Sequence, residues 1–272
     1  MAEHRTFNDR VTVEISDHVA QVRLDRAEKL NALDMAMFEG LCAAADWLAA
    51  QQDVRATVLS GAGASFCAGI DLAEAVRLQS PDARRGIETR SHGDANLVQR
   101  AALAWRDMPV PVIAALHGAV FGGGLQIAMG ADMRLCSADS RFSIMEVRWG
   151  LVPDMGGMVT LRGILREDHL RDLTYSARIV DAGEAVAIGL ATRLCADPHA
   201  EALAAATAIA RNSPAAVRAA KRLLNATAAG DRAQALIAET AEQLDLLGGQ
   251  DQIETMRAHA EKRAPRFGGS RH

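Results

Sequence analysis

Two segments of this sequence share one layout: an apolar run of strand length, a glycine-bearing turn, then the start of a helical pattern. The first turn is Cys67-Ala68-Gly69-Ile70-Asp71-Leu72, and the second is Gly118-Ala119-Val120-Phe121-Gly122-Gly123-Gly124-Leu125-Gln126. Glycine at a helix entrance lets backbone N–H groups turn toward a ligand with no Cβ in the way. The helix N-terminus also carries partial positive charge, which favours a developing anion. Two such turns can aim two amides at one oxygen, the arrangement of an oxyanion hole. Either turn alone is equally what close packing of a helix on a strand demands, so the pair carries the argument.

The rest of the chain supplies an α/β frame, with strands and helices alternating through the first two thirds. Residues 11–15 and 19–24 are β-branched runs on either side of Asp17 and predict a hairpin. Asp34 offers an N-cap to a helix reaching Ala50, with Phe38, Leu41, Ala45 and Leu48 on one stripe. Residues 54–59 read as a buried strand that ends in a glycine-containing loop at 61–69. The polar stretch from Glu74 to Asn96, interrupted by Pro81 and Gly86, is expected to be a mobile loop leading into a helix that runs to about Met108. Buried strands are expected at 112–116 and 133–136, with a helix from the glycine triplet toward Ala131. From 199 to 261 the pattern is helical, with breaks near Ser213-Pro214, Gly230 and Gly248-Gly249. The expected division is a core over 1–198 that holds the site and a helical subdomain over 199–272. Apolar stripes such as Leu203, Ala206, Ile209 and Ala210 require that subdomain to pack on the core or on a neighbouring subunit.

Composition excludes several functions. A 272-residue chain buries about three quarters of its unfolded surface and needs no covalent staples. Its net charge is −4 and no segment is dominated by Lys and Arg, which argues against a nucleic-acid partner. A phosphate-bearing ligand needs only a few local cations and stays open. Cys42, Cys67, Cys136 and Cys195 form no Cys-x-x-Cys pair and are expected to be buried free thiols. No apolar run approaches the roughly 20 residues of a membrane helix, and the first residues resemble no signal peptide, so the expected location is the cytoplasm. Gly61-Ala62-Gly63 has Phe66 where a dinucleotide fingerprint needs its third glycine. No phosphate-binding loop and no Gly-x-Ser-x-Gly elbow occurs, and the histidines show no metal-ligand spacing, so no metal is expected.

Five strings in order carry a resemblance across nearly the whole chain: RLDRAEKLNAL at 23–33, GAGASFCAGIDL at 61–72, PVIAALHGAVFGGGLQIAMGAD at 111–132, FSIMEVRWGLVPDMGG at 142–157 and EKRAPRF at 261–267. Together they resemble the crotonase superfamily, the enoyl-CoA hydratase/isomerase family. The resemblance implies a crotonase-type spiral of ββα units with a C-terminal helical trimerisation subdomain, assembled as a homo-trimer or hexamer. It implies an acyl-CoA thioester as substrate, with coenzyme A carried on the substrate and no separate cofactor. The hole would be the amides of Ile70 and Gly123. The CoA arm would lie along Arg26, Lys29 and Leu30 and along Ala68, Asp71 and Leu72, with Lys262 and Phe267 at the adenine end, across a subunit boundary. The stretch 74–96 would line the acyl tunnel.

The family's hydratases set two glutamates beside the hole, and the corresponding positions here are Gln126 and Glu146. Glutamine can hold a water but cannot exchange a proton at neutral pH. The resemblance offers Asp154, eight residues after Glu146, as a second acid or base in the manner of family isomerases. Double-bond isomerisation needs proton transfer and no water, so Glu146 and Asp154 favour it. Hydration with Gln126 positioning water remains the alternative, and a non-catalytic acyl-CoA- or RNA-binding relative is the alternative of another class. Read as isolated residues, Glu146 could pair with Arg148, and Asp154 could cap a helix starting near Met155. Asp71 is expected to cap the helix after the first turn, and His92 and His117 to be structural or surface residues.

Overall fold

The computed structural model describes residues 3–77, 80–228 and 231–268. The chain opens with strands β1 (Glu3–Phe7), β2 (Val11–Ser16) and β3 (Val19–Leu24), then helix α1 (Met35–Ala49) and strand β4 (Ala56–Gly61). Helices α2 (Leu72–Arg77), α3 (Pro81–Glu88) and α4 (Leu97–Asp107) precede β5 (Val112–Leu116), β6 (Ala119–Phe121), α5 (Gly123–Gly130), β7 (Met133–Cys136) and β8 (Arg141–Ser143). Next come α6 (Gly157–Leu161), α7 (Glu167–Ser176), β9 (Val180–Asp181), α8 (Ala182–Ala187) and β10 (Arg193–Leu194). Four helices close the chain: α9 (Pro198–Ala210), α10 (Pro214–Thr227), α11 (Arg232–Leu246) and α12 (Gln250–Ala260).

The main sheet has the order β1-β2-β3-β4-β5-β7-β10. Strands β1 to β3 are antiparallel, and β3 onward is parallel. The predicted hairpin is β2–β3, in register from Val11 opposite Leu24 to Ser16 opposite Val19. A second sheet, β6-β8-β9, stands at the mouth of the glycine turns. Strands β4 and β5 are buried along nearly their whole length, as strands covered on both faces must be. One face packs on α1, α4 and α5 through Phe38, Leu41, Trp105 and Leu125. The other packs on α9, where Ala202, Ala206 and Ala210 meet Val19, Val58, Ile113 and Leu135.

Asp34 caps α1 as expected, its side chain accepting from the Met37 amide. The loop expected over 74–96 is replaced by helices α2 and α3, with residues 78–79 outside the described range. Pro81 there starts a helix instead of breaking one: it sits at the first turn of α3 behind Ser80, which accepts from the Ala83 amide. The expected break at Gly230 also lies outside the described residues, while those at Ser213-Pro214 and Gly248-Gly249 fall between α9 and α10 and between α11 and α12. No helix among the described residues is long and apolar enough to cross a membrane.

Candidate active site

Both glycine turns leave the carboxyl ends of parallel strands, the first after β4 and the second after β5. They are laced together by backbone hydrogen bonds. The Cys67 amide donates to the Ala119 carbonyl at 2.9 Å, and the Phe121 amide donates to the Cys67 carbonyl at 3.0 Å. A Cβ placed on Gly69 would lie 3.0 Å from the Phe121 carbonyl oxygen and 4.0 Å from the Gly122 Cα. Residues 70 and 123, one position further along each turn, are therefore neighbours in space.

Neither amide has an acceptor among the described residues. Leu33 bridges the first turn in parallel register, donating to the Gly69 carbonyl at 2.8 Å and accepting from the Asp71 amide at 2.9 Å. In a parallel bridge the residue between those two contacts turns its own amide the other way, and that residue is Ile70. Gly123 is the first residue of α5, so its N–H has no acceptor within the helix. Gly122 before it adopts φ +50° and ψ −121°, a conformation reserved for glycine. Gly124 has the packing role: a Cβ there would lie 2.6 Å from the Cys67 Cβ. Cys67 itself offers no thiolate at neutral pH, because burial pushes its thiol up to about 12.

Glu146 opens a short 3-10 turn, Glu146–Trp149, after β8. A Cβ on Gly122 would meet its Oε1 at 3.4 Å, so the carboxylate stands beside the second turn. Oε1 accepts from the Gln126 amide nitrogen at 2.7 Å. Oε2 is buried with no hydrogen-bond partner among the described residues. Burial pushes this carboxyl above its ordinary value, the bonds from Gln126 and the backbone pull it back in part, and the Asp154 charge adds to the rise. The pairing with Arg148 that the sequence allowed is not formed among the described residues: one side-chain oxygen of Glu146 is bonded to Gln126 and the other is unpartnered.

Asp154 lies in the turn before α6. It does not cap that helix: Gly156 holds the N-cap position and no side chain caps it. The residue is exposed at the rim, yet desolvation of its carboxyl dominates and raises it above the ordinary value. Gln126 bonds both Glu146 and the amide of Met155, the residue after Asp154, which brings the two carboxyl-bearing segments together.

Gln126 is held more tightly than the sequence alone indicates. It is buried in α5, and its amide is engaged at both ends. The nitrogen donates to Glu146, and the oxygen accepts from the Met155 and Gly157 amides at 2.9 Å each. With both lone pairs of that oxygen taken, it has no acceptor left with which to hold a water.

The segment expected to carry the CoA arm forms the opposite lip. Lys29 and Leu30 are exposed, Leu30 in the left-handed region with φ 49°, and its carbonyl accepts from the Ala68 amide at 3.0 Å. Leu72 is exposed at the start of α2. Asp71 accepts from the Ala73 amide at 2.9 Å, as a helix cap should, and pairs with Arg26 at 2.8 Å. Arg26, expected along the CoA arm, turns its guanidinium inward to Asp71, Asp34 and the Ala32 carbonyl. Asn31, which sequence reasoning passed over, is the hub of this lip. Fully buried, it donates to the carbonyls of Ala62, Ser65 and Phe66 and accepts from the Arg26 amide. Its left-handed φ of 56° is one that asparagine tolerates, but nothing in its immediate sequence announces these partners.

Phe267 lies elsewhere within the chain. Its carbonyl accepts from Arg55 at 3.1 Å, and its ring faces that guanidinium at 5.9 Å. Arg55 precedes β4, so Phe267 sits at the end of the strand opposite the glycine turns, about 20 Å away at 3.3 Å per residue. Lys262 is exposed just after α12. Neither joins its own chain's turns. His117 contacts the Gly63 carbonyl at 2.9 Å and His92 contacts Ser91, both at half-buried positions.

Fold and site together define an α/β protein with two backbone amides and a pair of raised carboxyls at the carboxyl ends of its parallel strands. The model of the enoyl-CoA hydratase/isomerase family matches residues 14–270, and the chain belongs to that family. It is 34% identical over 273 residues to a mouse mitochondrial Delta(3,5)-Delta(2,4)-dienoyl-CoA isomerase, covering 97% of this chain and 82% of that protein. It is 33% identical over 257 residues to enoyl-CoA hydratase EchA19 of Mycobacterium tuberculosis, covering 94% and 95%. The crystal structure of an enoyl-CoA hydratase from Bacillus anthracis superposes with a TM-score of 0.88 at 26% identity, covering 96% of this chain and all of that one. The fold is accordingly that of the crotonase enzymes.

Proposed function

We propose that this enzyme moves a double bond in an enoyl- or dienoyl-CoA thioester. The thioester oxygen accepts hydrogen bonds from the Ile70 and Gly123 amides. Glu146, through its unpartnered Oε2, removes a proton from the carbon chain, and the electron pair moves through the conjugated system onto the thioester oxygen. The hole stabilises that enolate in a site where hydrogen bonds count for more than in water. Asp154, acting as the acid of the pair, then delivers a proton at a carbon further along, and the electrons return from the oxygen to form the displaced double bond. One proton leaves and one arrives, no water is consumed, and proton exchange with solvent resets the two carboxyls.

The engagement of Gln126 is the observation that carries this reading over hydration. With its amide oxygen filled by two backbone N–H groups, Gln126 offers a water no acceptor and no proton to exchange at neutral pH. The remaining pair, Glu146 and Asp154, suffices for proton transfer. Both carboxyls are raised by burial, which brings them toward the range where general acids and bases work best. The CoA arm follows Lys29, Leu30 and Ala68 to Leu72, and Arg26 and Asp71 hold that lip in shape. Lys262 and Phe267 reach the adenine end from a neighbouring subunit of a homo-trimer or hexamer. We assign residues 1–198 to the thioester site and 199–272 to packing and assembly. Exposed Leu224, Ile237, Leu244 and Met256 on the closing helices suit that assignment. The reading includes a cytoplasmic location, no nucleic-acid partner, and no cofactor beyond the coenzyme A on the substrate.

The test is turnover of a panel of 2-enoyl-, 3-enoyl- and dienoyl-CoA esters in heavy water, read by mass spectrometry, with Glu146→Gln beside the wild type. We expect isomerised product carrying deuterium, and a loss of about 10²–10⁴-fold in the variant. 3-Hydroxyacyl-CoA as the main product would overturn isomerisation in favour of hydration. Full activity of the variant would remove Glu146 from the chemistry.

A further inference from the structure

We infer that Gln126 is a positioning residue that chooses which oxygen of Glu146 acts as base and sets the pH at which it does so. The inference rests on Glu146 being the base proposed above. Three bonds define the arrangement. The Gln126 oxygen is pinned by the Met155 and Gly157 amides at 2.9 Å each, and this obliges its nitrogen to face Glu146, where it meets Oε1 at 2.7 Å. A flipped amide would set its NH₂ group against two backbone N–H groups and its carbonyl against a carboxylate, so the orientation is fixed by the network. Oε1 is thereby held as an acceptor, and Oε2 is left buried and unpartnered as the basic atom. The same amide ties Glu146 to the 155–157 turn next to Asp154, so one side chain sets both carboxyls relative to each other. Gly157 shows how closely the turn is seated, because a Cβ on it would lie 2.6 Å from the Gln126 oxygen.

This assigns glutamine a task that glutamate could not perform here. A carboxylate in place of the Gln126 amide would keep the two backbone N–H bonds on one oxygen and set its other oxygen against Glu146 Oε1 at the present 2.7 Å. Two ionised carboxylates do not share that spacing, so the pair would hold one proton between them and titrate as a unit. An acid at position 126 would therefore make Glu146 one half of a coupled pair, whose second proton leaves only at higher pH.

The experiment follows Glu146 directly. The full chain is labelled with carboxyl-¹³C glutamate, and the Glu146 resonance is assigned by its absence in Glu146→Gln. Wild type, Gln126→Met and Gln126→Glu are then titrated without substrate, alongside pH profiles of kcat/KM and thermal melts that confirm folding. Losing a charge-assisted hydrogen bond raises the Glu146 midpoint in Gln126→Met by about one to two pH units. Gln126→Glu replaces the single midpoint with two coupled steps, one below and one above it, and the acid limb of kcat/KM follows the change in each variant. A Gln126 that only braces the fold would lower the melting temperature and leave midpoint and limb in place, which would overturn the inference. If the midpoint moves as expected but no thioester is isomerised, the tuning stands and the proposed reaction fails. If isomerisation is found with an unmoved midpoint, the reaction stands and the tuning fails.

Discussion

Gly69→Ala tests how closely the two turns must approach. Gly69 has φ +93°, which costs a residue with a side chain about 1–2 kcal/mol. The added methyl would also stand 3.0 Å from the Phe121 carbonyl oxygen. That oxygen belongs to backbone already tied to Cys67 and Ser143, so it cannot swing aside like the end of a flexible side chain. The turns must part by a few tenths of an ångström, and the Ile70 and Gly123 amides part with them. Deleting one oxyanion donor typically costs about 10²–10³ in rate, so a partial misplacement should cost about 10–10²-fold. Gly93→Ala separates strain from geometry: its φ is +69°, but a methyl there meets nothing within 4 Å. Both variants should melt a few degrees lower, and only Gly69→Ala should lose kcat on a dienoyl- or enoyl-CoA ester. Equal melting shifts with wild-type kcat in both would refute the dependence of the hole on this contact.

Asp154→Asn should lower isomerase kcat at least about tenfold, within the range a positioned acid contributes, while product CoA-ester affinity by calorimetry stays near wild type. An unchanged kcat would remove Asp154 from the mechanism. The raised carboxyls have a stability consequence. A folded-state pKa above the unfolded value means that the folded protein holds more protons between the two values, so stability falls as pH rises through that window. Glu146→Gln and Asp154→Asn should therefore melt higher than wild type at about pH 7, and the gain should vanish below the ordinary carboxylate range. Arg26→Met should cost about 1–3 kcal/mol in denaturant unfolding, because it strips a charged hydrogen-bonding partner from Asp71 and Asp34. A large rise in KM with unchanged stability would instead return Arg26 to ligand binding.

The hairpin, the Asp34 cap and the two glycine turns were legible because each is a local signal: β-branched runs, a capping residue, glycines at a helix entrance. Strand β1 was not, since four of its five residues are exposed and its apolar content is a single Phe7. Strands β6, β8 and β9 span two or three residues, too short for any period to register. Helix α4 was legible to its end near Met108, but the start of α3, Ser80 before Pro81, and the capping box of Asn96 with Gln99 that opens α4 are local signals of equal strength. Gly86 and the polar composition outweighed them. At the candidate site, Glu146, Asp154, Ile70 and Gly123 could be named through resemblance. The hydrogen-bond partners of Gln126 and Arg26 could not, because they lie 20 to 31 and 6 to 45 residues away, and only the fold brings them together. Sequence shows which polar groups a chain has, but burial decides which of them remain free to meet a ligand.

The proposed chemistry turns on one oxygen atom. A structure with a bound non-reactive dienoyl-CoA analogue measures its surroundings directly. We expect the thioester oxygen to lie about 2.7–3.1 Å from the main-chain nitrogens of both Ile70 and Gly123, with the chain passing Glu146 Oε2. An analogue whose carbonyl reaches neither nitrogen, or only one, would contradict the account.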